Sequence, residues 1–217
     1  MNKENRRQFC TAAGMLFVFL LWTTAIRFMD VQTIGPQNSS VGFATVNRFV
    51  HHLTGVHMSL YQITDWLGLV PLLFAAGFSM LGFVQWIQRK DFMKVDYDLL
   101  VLGGFYIVVI AVYILFEVFV VNYRPVLING VLEGSYPSST TMLVMCVMPT
   151  AMMQFRVRIH NKIAKRLILS FMAAFVLFMV IGRLLSGVHW FTDIVGGALL
   201  SAGLVGMYRA VIHWRVL

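Results

Sequence analysis

Apolar residues recur along this chain in runs long enough to cross a lipid bilayer, and that leaves few folds open to it. The runs cover roughly residues 9–28, 66–88, 98–121, 139–155, 167–186 and 191–212. A hydrocarbon core about 30 Å thick takes about 20 apolar residues as a helix, which satisfies its own backbone hydrogen bonds. Composition agrees: 59% of the 217 residues are hydrophobic and 12% are charged, whereas a soluble domain carries about 25% charged residues. We therefore expect an all-α integral membrane protein, a six-transmembrane-helix bundle forming one unit over residues 1–217. The fourth run is short and contains Pro149, which a membrane helix tolerates when its neighbours satisfy the freed backbone groups. No internal repeat or low-complexity tract divides the chain.

The first run follows Lys3, Arg6 and Arg7 in the manner of a secretion signal. Thr23-Thr24-Ala25 is a poor small-residue cleavage site, so this run reads as an uncleaved first helix. Residues 41–65 are semi-polar, with Phe43, Val46, Phe49, Val50 and Leu53 at helical spacing. They predict an interfacial helix between helices one and two; a loop covering the bundle is the alternative. Cys10 and Cys146 both fall inside apolar runs and read as packing thiols.

Six spans place both termini on one side, and the basic residues say which. Thirteen lie on the side of the termini: Lys3, Arg6, Arg7, Arg89, Lys90, Lys94, Arg156, Arg158, Lys162, Lys165, Arg166, Arg209 and Arg215. Arg27, Arg48, Arg124 and Arg183 lie on the other. The positive-inside rule makes the first side cytoplasmic. The net charge of +8 thus sets topology and does not point to nucleic acid. The compact six-helix build suggests a bacterial cell membrane.

Charged groups at membrane depth are costly and mark functional sites. Arg183, His189 and Asp193 are such groups. His189 and Asp193 stand four apart, on one helix face, where the carboxylate can hold the imidazole in one tautomer and Arg183 can bind an anion at the reactive nitrogen. Tracing the chain brings Arg124-Pro125, Tyr136-Pro-Ser-Ser-Thr140, Arg183 and His189–Asp193 to the same extracytoplasmic end. The pattern points to phosphoryl chemistry at a membrane surface.

This set resembles the type 2 phosphatidic-acid phosphatase superfamily of six-helix lipid phosphatases. The family signature has three parts: Lys, six residues, Arg-Pro; Pro-Ser-Gly-His; and Ser-Arg, five residues, His, three residues, Asp. Arg124-Pro125 matches the end of the first, Pro137-Ser138 the start of the second, and Arg183, His189 and Asp193 the third. Four positions depart from it: Glu117 stands for Lys, Ser139 for Gly, Thr140 for His and Gly182 for Ser.

The resemblance implies that His189 is a nucleophile forming a phosphohistidine, oriented by Asp193, with no cofactor and no metal. Alone, His189 and Asp193 also fit a structural pair capping the last helix. Arg124 and Arg183 are expected to clamp phosphate oxygens through their planar forks, although Arg124 also fits an interfacial arginine reaching lipid headgroups. Ser138, Ser139 and Thr140 open a helix, where N–H groups and hydroxyls bind anions or simply cap; Tyr136 precedes them as a further substrate-side residue.

Thr140 cannot replace the family's acid histidine, a step contributing about 10²–10⁴-fold. Three explanations stand: a slow or inactive relative; a proton from Tyr136, Tyr123, His51, His52 or His57; or a leaving group needing no proton, as in a lipid diphosphate. Glu117, two turns before Arg124 on the same helix face, is expected to brace an arginine or to act as an acid. The reading is a membrane phosphatase or phosphotransferase for lipid phosphates or diphosphates, with membrane lipids as its surroundings. The alternative is an impaired relative that binds lipid phosphate as a regulator or partner subunit. A transporter has less support, lacking symmetric broken repeats.

Overall fold

The computed structural model describes residues 3–215; the outermost residues of the expected 1–217 unit lie outside the described residues. The helices are α1 (Lys3–Phe28), α2 (Ala44–Thr54), α3 (Met58–Leu67), α4 (Leu69–Arg89), α5 (Tyr97–Val118), α6 (Ser139–Arg158), α7 (Lys162–Leu185) and α8 (Phe191–Arg215). Five stretches are long and apolar enough to cross a membrane: α1, α3–α4 taken together, α5, α7 and α8.

α6 occupies the position of the fourth expected run but is less apolar than those five. Its surroundings explain this. Met142, Val144, Val147, Met148 and Ala151 are buried, and so are Thr141, Thr150 and Gln154. A helix enclosed by other helices need not present a lipid-compatible face, so polar residues enter where a partner meets them. Gln154 Nε2 donates to the Tyr208 hydroxyl of α8 at 2.7 Å.

Two boundaries differ from expectation. The semi-polar stretch 41–65 is not one helix: Gly55, at φ +66°, ends α2. α3 then runs through Gly68 into α4, so the second spanning stretch starts at Met58 and not at 66. α5 stops at Val118, short of the expected 121.

Close packing of α1 on α8 positions the start of the last helix. A Cβ at Gly203 would lie 2.6 Å from Leu16 Cδ2, and one at Gly206 would lie 3.0 Å from the Ala12 Cβ. Small residues permit this approach where lipid offers no hydrophobic drive to association. α2 is fastened to the same helix by two bonds of Asn47: Nδ2 to Thr192 Oγ1 at 2.9 Å, and Oδ1 accepting from Thr192 N at 3.1 Å. The far end of the bundle is tied by Arg158–Asp98 and Arg89–Asp96 ion pairs, each 2.8 Å.

Candidate functional site: a histidine between two arginines

The loop between α5 and α6 builds half the site. Asn129 and Gly130 both have positive φ, at 50° and 79°, as a two-residue hairpin turn of the type favouring Asn-Gly requires. Ile128 pairs with Val131, and Tyr123 with Gly134. Arg124 N donates to Glu133 O at 3.0 Å and Ser135 N to Asn122 O at 2.9 Å. This register sets Asn122, Arg124 and Ser135 against the start of α8.

The other half is the turn from α7 to α8. Arg183 lies in the last turn of α7, and Gly187, at φ +69°, lets the chain reverse toward His189. A Cβ on Gly187 would come within 1.9 Å of Gly55 O, so the α2–α3 corner packs backbone to backbone against this turn. His57 N donates to Ser186 O at 2.9 Å, and His51 Nε2 lies 3.1 Å from Gly187 O.

Asp193 sits in the first turn of α8 and accepts from Trp190 N at 2.8 Å. A carboxylate reaching back to the N-cap amide in this way satisfies a donor that the helix leaves free. The same oxygen, Oδ2, accepts a short bond from Ser135 Oγ, and Oδ1 lies 3.5 Å from Asn122 Nδ2. His189 Nδ1 is 3.1 Å from Ser135 Oγ but 3.8 Å from Asp193 Oδ2. Asp193 therefore makes no direct hydrogen bond to the ring; the Ser135 hydroxyl stands between the two.

On the other ring edge, Arg124 Nη1 lies 3.3 Å and Arg183 Nη2 3.4 Å from His189 Nε2. Guanidinium only donates, so Nε2 accepts and the neutral ring carries its proton on Nδ1. Burial first, then the positive charges of Arg124 and Arg183, hold His189 well below its ordinary value. Both guanidiniums flank the Tyr61 ring, with Cζ at 4.9 Å for Arg183 and 5.9 Å for Arg124. Each also meets a carboxylate at the rim: Arg124 Nε is 3.0 Å from Glu133 Oε2, and Arg183 Nη1 is 3.6 Å from Asp65 Oδ1. Arg183 Nε is buried without a hydrogen-bond partner. A buried donor left this way favours an anionic ligand.

A cavity of about 260 Å³ opens onto His189 and is lined by Arg124, Ser135, Ser139, Glu117 and Glu133 among others. Ser139 therefore faces the site. Ser138 does not: it is fully buried, caps α6 by accepting from Thr141 N, and donates its own N–H to Asp193 O at 3.1 Å. Thr140 lines an adjoining, mostly apolar cavity of about 360 Å³ with Asp65, Leu69, Leu72 and Ile110, sharing Tyr113, Ser139 and Met142 with the first.

Glu117 lines the His189 cavity, but not for the reason expected. The helix ends at Val118, so Glu117 and Arg124 share no helix face, and the hairpin brings Arg124 back. Tyr136 lines the cavity with its ring, while its hydroxyl bonds Thr23 Oγ1 at 2.6 Å. Burial pushes that phenol above its ordinary value, which makes it a poorer proton donor. Tyr123, His51, His52 and His57 do not line this cavity. Sequence reasoning missed Ser135, Asn122, Glu133, Tyr61 and Asp65; for the first three the Asn129-Gly130 hairpin signal was available.

The PAP2 superfamily model matches residues 105–217, which run from within α5 through α8 and beyond. A solved structure with the same architecture is a transmembrane PAP2-type phosphatidylglycerolphosphate phosphatase from Bacillus subtilis. It aligns over 93% of this chain and 96% of its own, at 15% identity and a TM-score of 0.67. At that identity the likeness establishes the fold. Comparison with curated proteins finds no match. With Arg124, Arg183, His189 and Asp193 at one end of an integral, multi-pass membrane bundle, the chain belongs to the PAP2 superfamily.

Proposed function

We propose that the protein is a membrane phosphatase or phosphotransferase acting on lipid diphosphates, with His189 as nucleophile and Asp193 as its orienting carboxylate. The observation that carries this reading is the convergence of two buried guanidiniums on the unprotonated nitrogen of one imidazole, 3.3 and 3.4 Å away. A phosphate at this place supplies oxygens that take over both arginines as acceptors, and Nε2 is then free to attack. Its lone pair forms the P–N bond while the P–O bond to the leaving group breaks, with the electron pair departing on that oxygen. Water or another acceptor then attacks phosphorus, and the P–N electrons return to Nε2.

The leaving group is where this chain differs from its family. Among the described residues no histidine other than the proposed nucleophile lines the His189 cavity, and Thr140 is no acid. A terminal phosphoryl group leaving a lipid monophosphate behind needs no protonation, so a diphosphate suits the residues present. The apolar cavity beside Thr140, which shares Ser139 and Met142 with the His189 cavity as lining residues, suits the substrate's first methylenes.

We further propose that α6 is the sixth span, that α2 lies at the interface, and that the termini are cytoplasmic with His189 opposite. A fluorescent protein fused after Leu217 then fluoresces, and a secreted-enzyme reporter there stays inactive. The second reading, a phosphate-binding relative without turnover, draws on the fact that His189 is the only histidine among the described residues lining its cavity. Purified protein offered lipid mono- and diphosphates decides between them. Phosphate release from diphosphates, abolished in His189→Ala, is expected; equal release by both proteins removes the enzymatic reading.

A further inference from the structure

We propose that Ser135 is a positioning residue, whose hydroxyl transmits the hold of the Asp193 carboxylate to the His189 ring and keeps the imidazole in its Nδ1–H form. This rests on the reading of His189 as nucleophile, and it adds a residue that lies outside the family signature quoted above. Ser135 is 3% exposed, at the hairpin position that pairs with Asn122 through a 2.9 Å backbone bond. Its side chain has one proton and two lone pairs, and both neighbours call on them. Nδ1–H of His189 is within hydrogen-bond reach of Oγ at 3.1 Å, whereas the carboxylate oxygen at 3.8 Å is not. With Oγ accepting from the ring, the hydroxyl proton is free to go to Asp193 Oδ2, which it meets closely.

The direction of this chain is fixed at its far end. Two guanidiniums that can only donate face Nε2, so the ring proton belongs on Nδ1. When a phosphate draws the arginines away, that constraint goes with them. Ser135 is then the group in contact with the ring that still prefers Nδ1–H. Asp193 is in turn immobilised by Trp190 N at 2.8 Å and by Asn122. Both strands of the hairpin therefore grip one carboxylate, and a one-residue slip in their register would turn Ser135 to the opposite face. Because Ser135 also lines the cavity, direct binding of substrate phosphate is the competing role.

The test reads the tautomer as well as the rate. Protein with 15N-labelled histidine in detergent micelles, with inorganic phosphate present as the anion, gives the His189 ring shifts, assigned by their loss in His189→Gln. We expect a single Nδ1–H form in the parent and in Ser135→Thr, and a mixture or the Nε2–H form in Ser135→Ala. With lipid diphosphate, Ser135→Ala lowers kcat by about tenfold or more with KM little changed, as a group acting through the nucleophile does, and Ser135→Thr recovers most of it. An unchanged Nδ1–H signal in Ser135→Ala overturns the proposal, and so does a loss confined to KM, which marks a phosphate ligand. Ser135→Cys, a near-isosteric change with a weak donor, gives the same reading should the alanine variant not fold. If His189→Ala retains phosphate release, the nucleophile reading falls on its own, and the tautomer signal still judges Ser135.

Discussion

Removing the charge of Asp193 while leaving its shape separates its two roles. In Asp193→Asn, an amide oxygen in the place of Oδ2 still accepts from Trp190 N and Ser135 Oγ, and the amide nitrogen meets Asn122, whose side chain can turn to offer its oxygen. Hydrogen bonding is conserved, so stability should fall by no more than about 1 kcal/mol. Catalysis should suffer far more. When phosphorus bonds to Nε2 the ring becomes cationic, and Asp193 Oδ2 lies 3.8 Å from Nδ1. A unit-charge pair at that distance, in an effective dielectric of about 20, is worth about 4 kcal/mol, or about three orders of magnitude in kcat as an upper limit. Asp193→Ala instead leaves the donors on Trp190 and Ser135 unpaired in a fully buried place, at about 1–3 kcal/mol each. Thermal unfolding in detergent and phosphate release from a lipid diphosphate measure the two effects. If Asp193→Asn loses as much stability as Asp193→Ala, or keeps its full rate, the reasoning is wrong.

Other outcomes follow from the same geometry. Thr140→His should accelerate hydrolysis of lipid phosphate monoesters much more than of diphosphates; equal acceleration of both would contradict the leaving-group argument. Because the folded-state value of His189 is depressed from 6.5, the unfolded chain takes up a proton that the folded chain refuses once the pH drops below about 6.5. Stability should therefore decline below that pH by up to about 1.4 kcal/mol per unit, with no such effect above it, and melting curves of His189→Gln should lack this component. Gly187→Ala places a Cβ 1.9 Å from Gly55 O at a positive φ, so it should lower the melting temperature and phosphate release together. A variant with parental melting and activity would show that the turn and the α2–α3 corner are not rigidly packed.

The apolar runs were legible because the bilayer demands them residue by residue, and α1, α4, α5, α7 and α8 lie where the runs lie. α6 shows the limit of that signal: enclosed by protein, it answers to its neighbours and not to lipid. His189 and Asp193 were readable from their spacing of four, and Arg183 because it closes the preceding helix; the expected shared helix face is not there, since α8 begins at Phe191 and His189 precedes its cap. Glu117 was misread because no Gly or Pro marks the end of α5; nothing breaks the pattern before Pro125, yet the helix stops at Val118. Ser135, Asn122 and Glu133 owe their places to hairpin register, which the Asn129-Gly130 pair announces but which says nothing of what the hairpin faces. Tyr61 and Asp65 come from the packing of α3 on α7, a tertiary relation with no local trace.

The arginines at His189 Nε2 also make the histidine selective before any substrate is recognised. A neutral electrophile drifting into the cavity carries no oxygens able to lure two guanidiniums off the lone pair, and it meets a nitrogen already occupied on that side. Histidine-directed acylating or alkylating reagents should accordingly modify this ring slowly, in a membrane full of carbonyl esters to which it must stay indifferent. Reactivity is thus released by the same negative charge that marks the correct ligand.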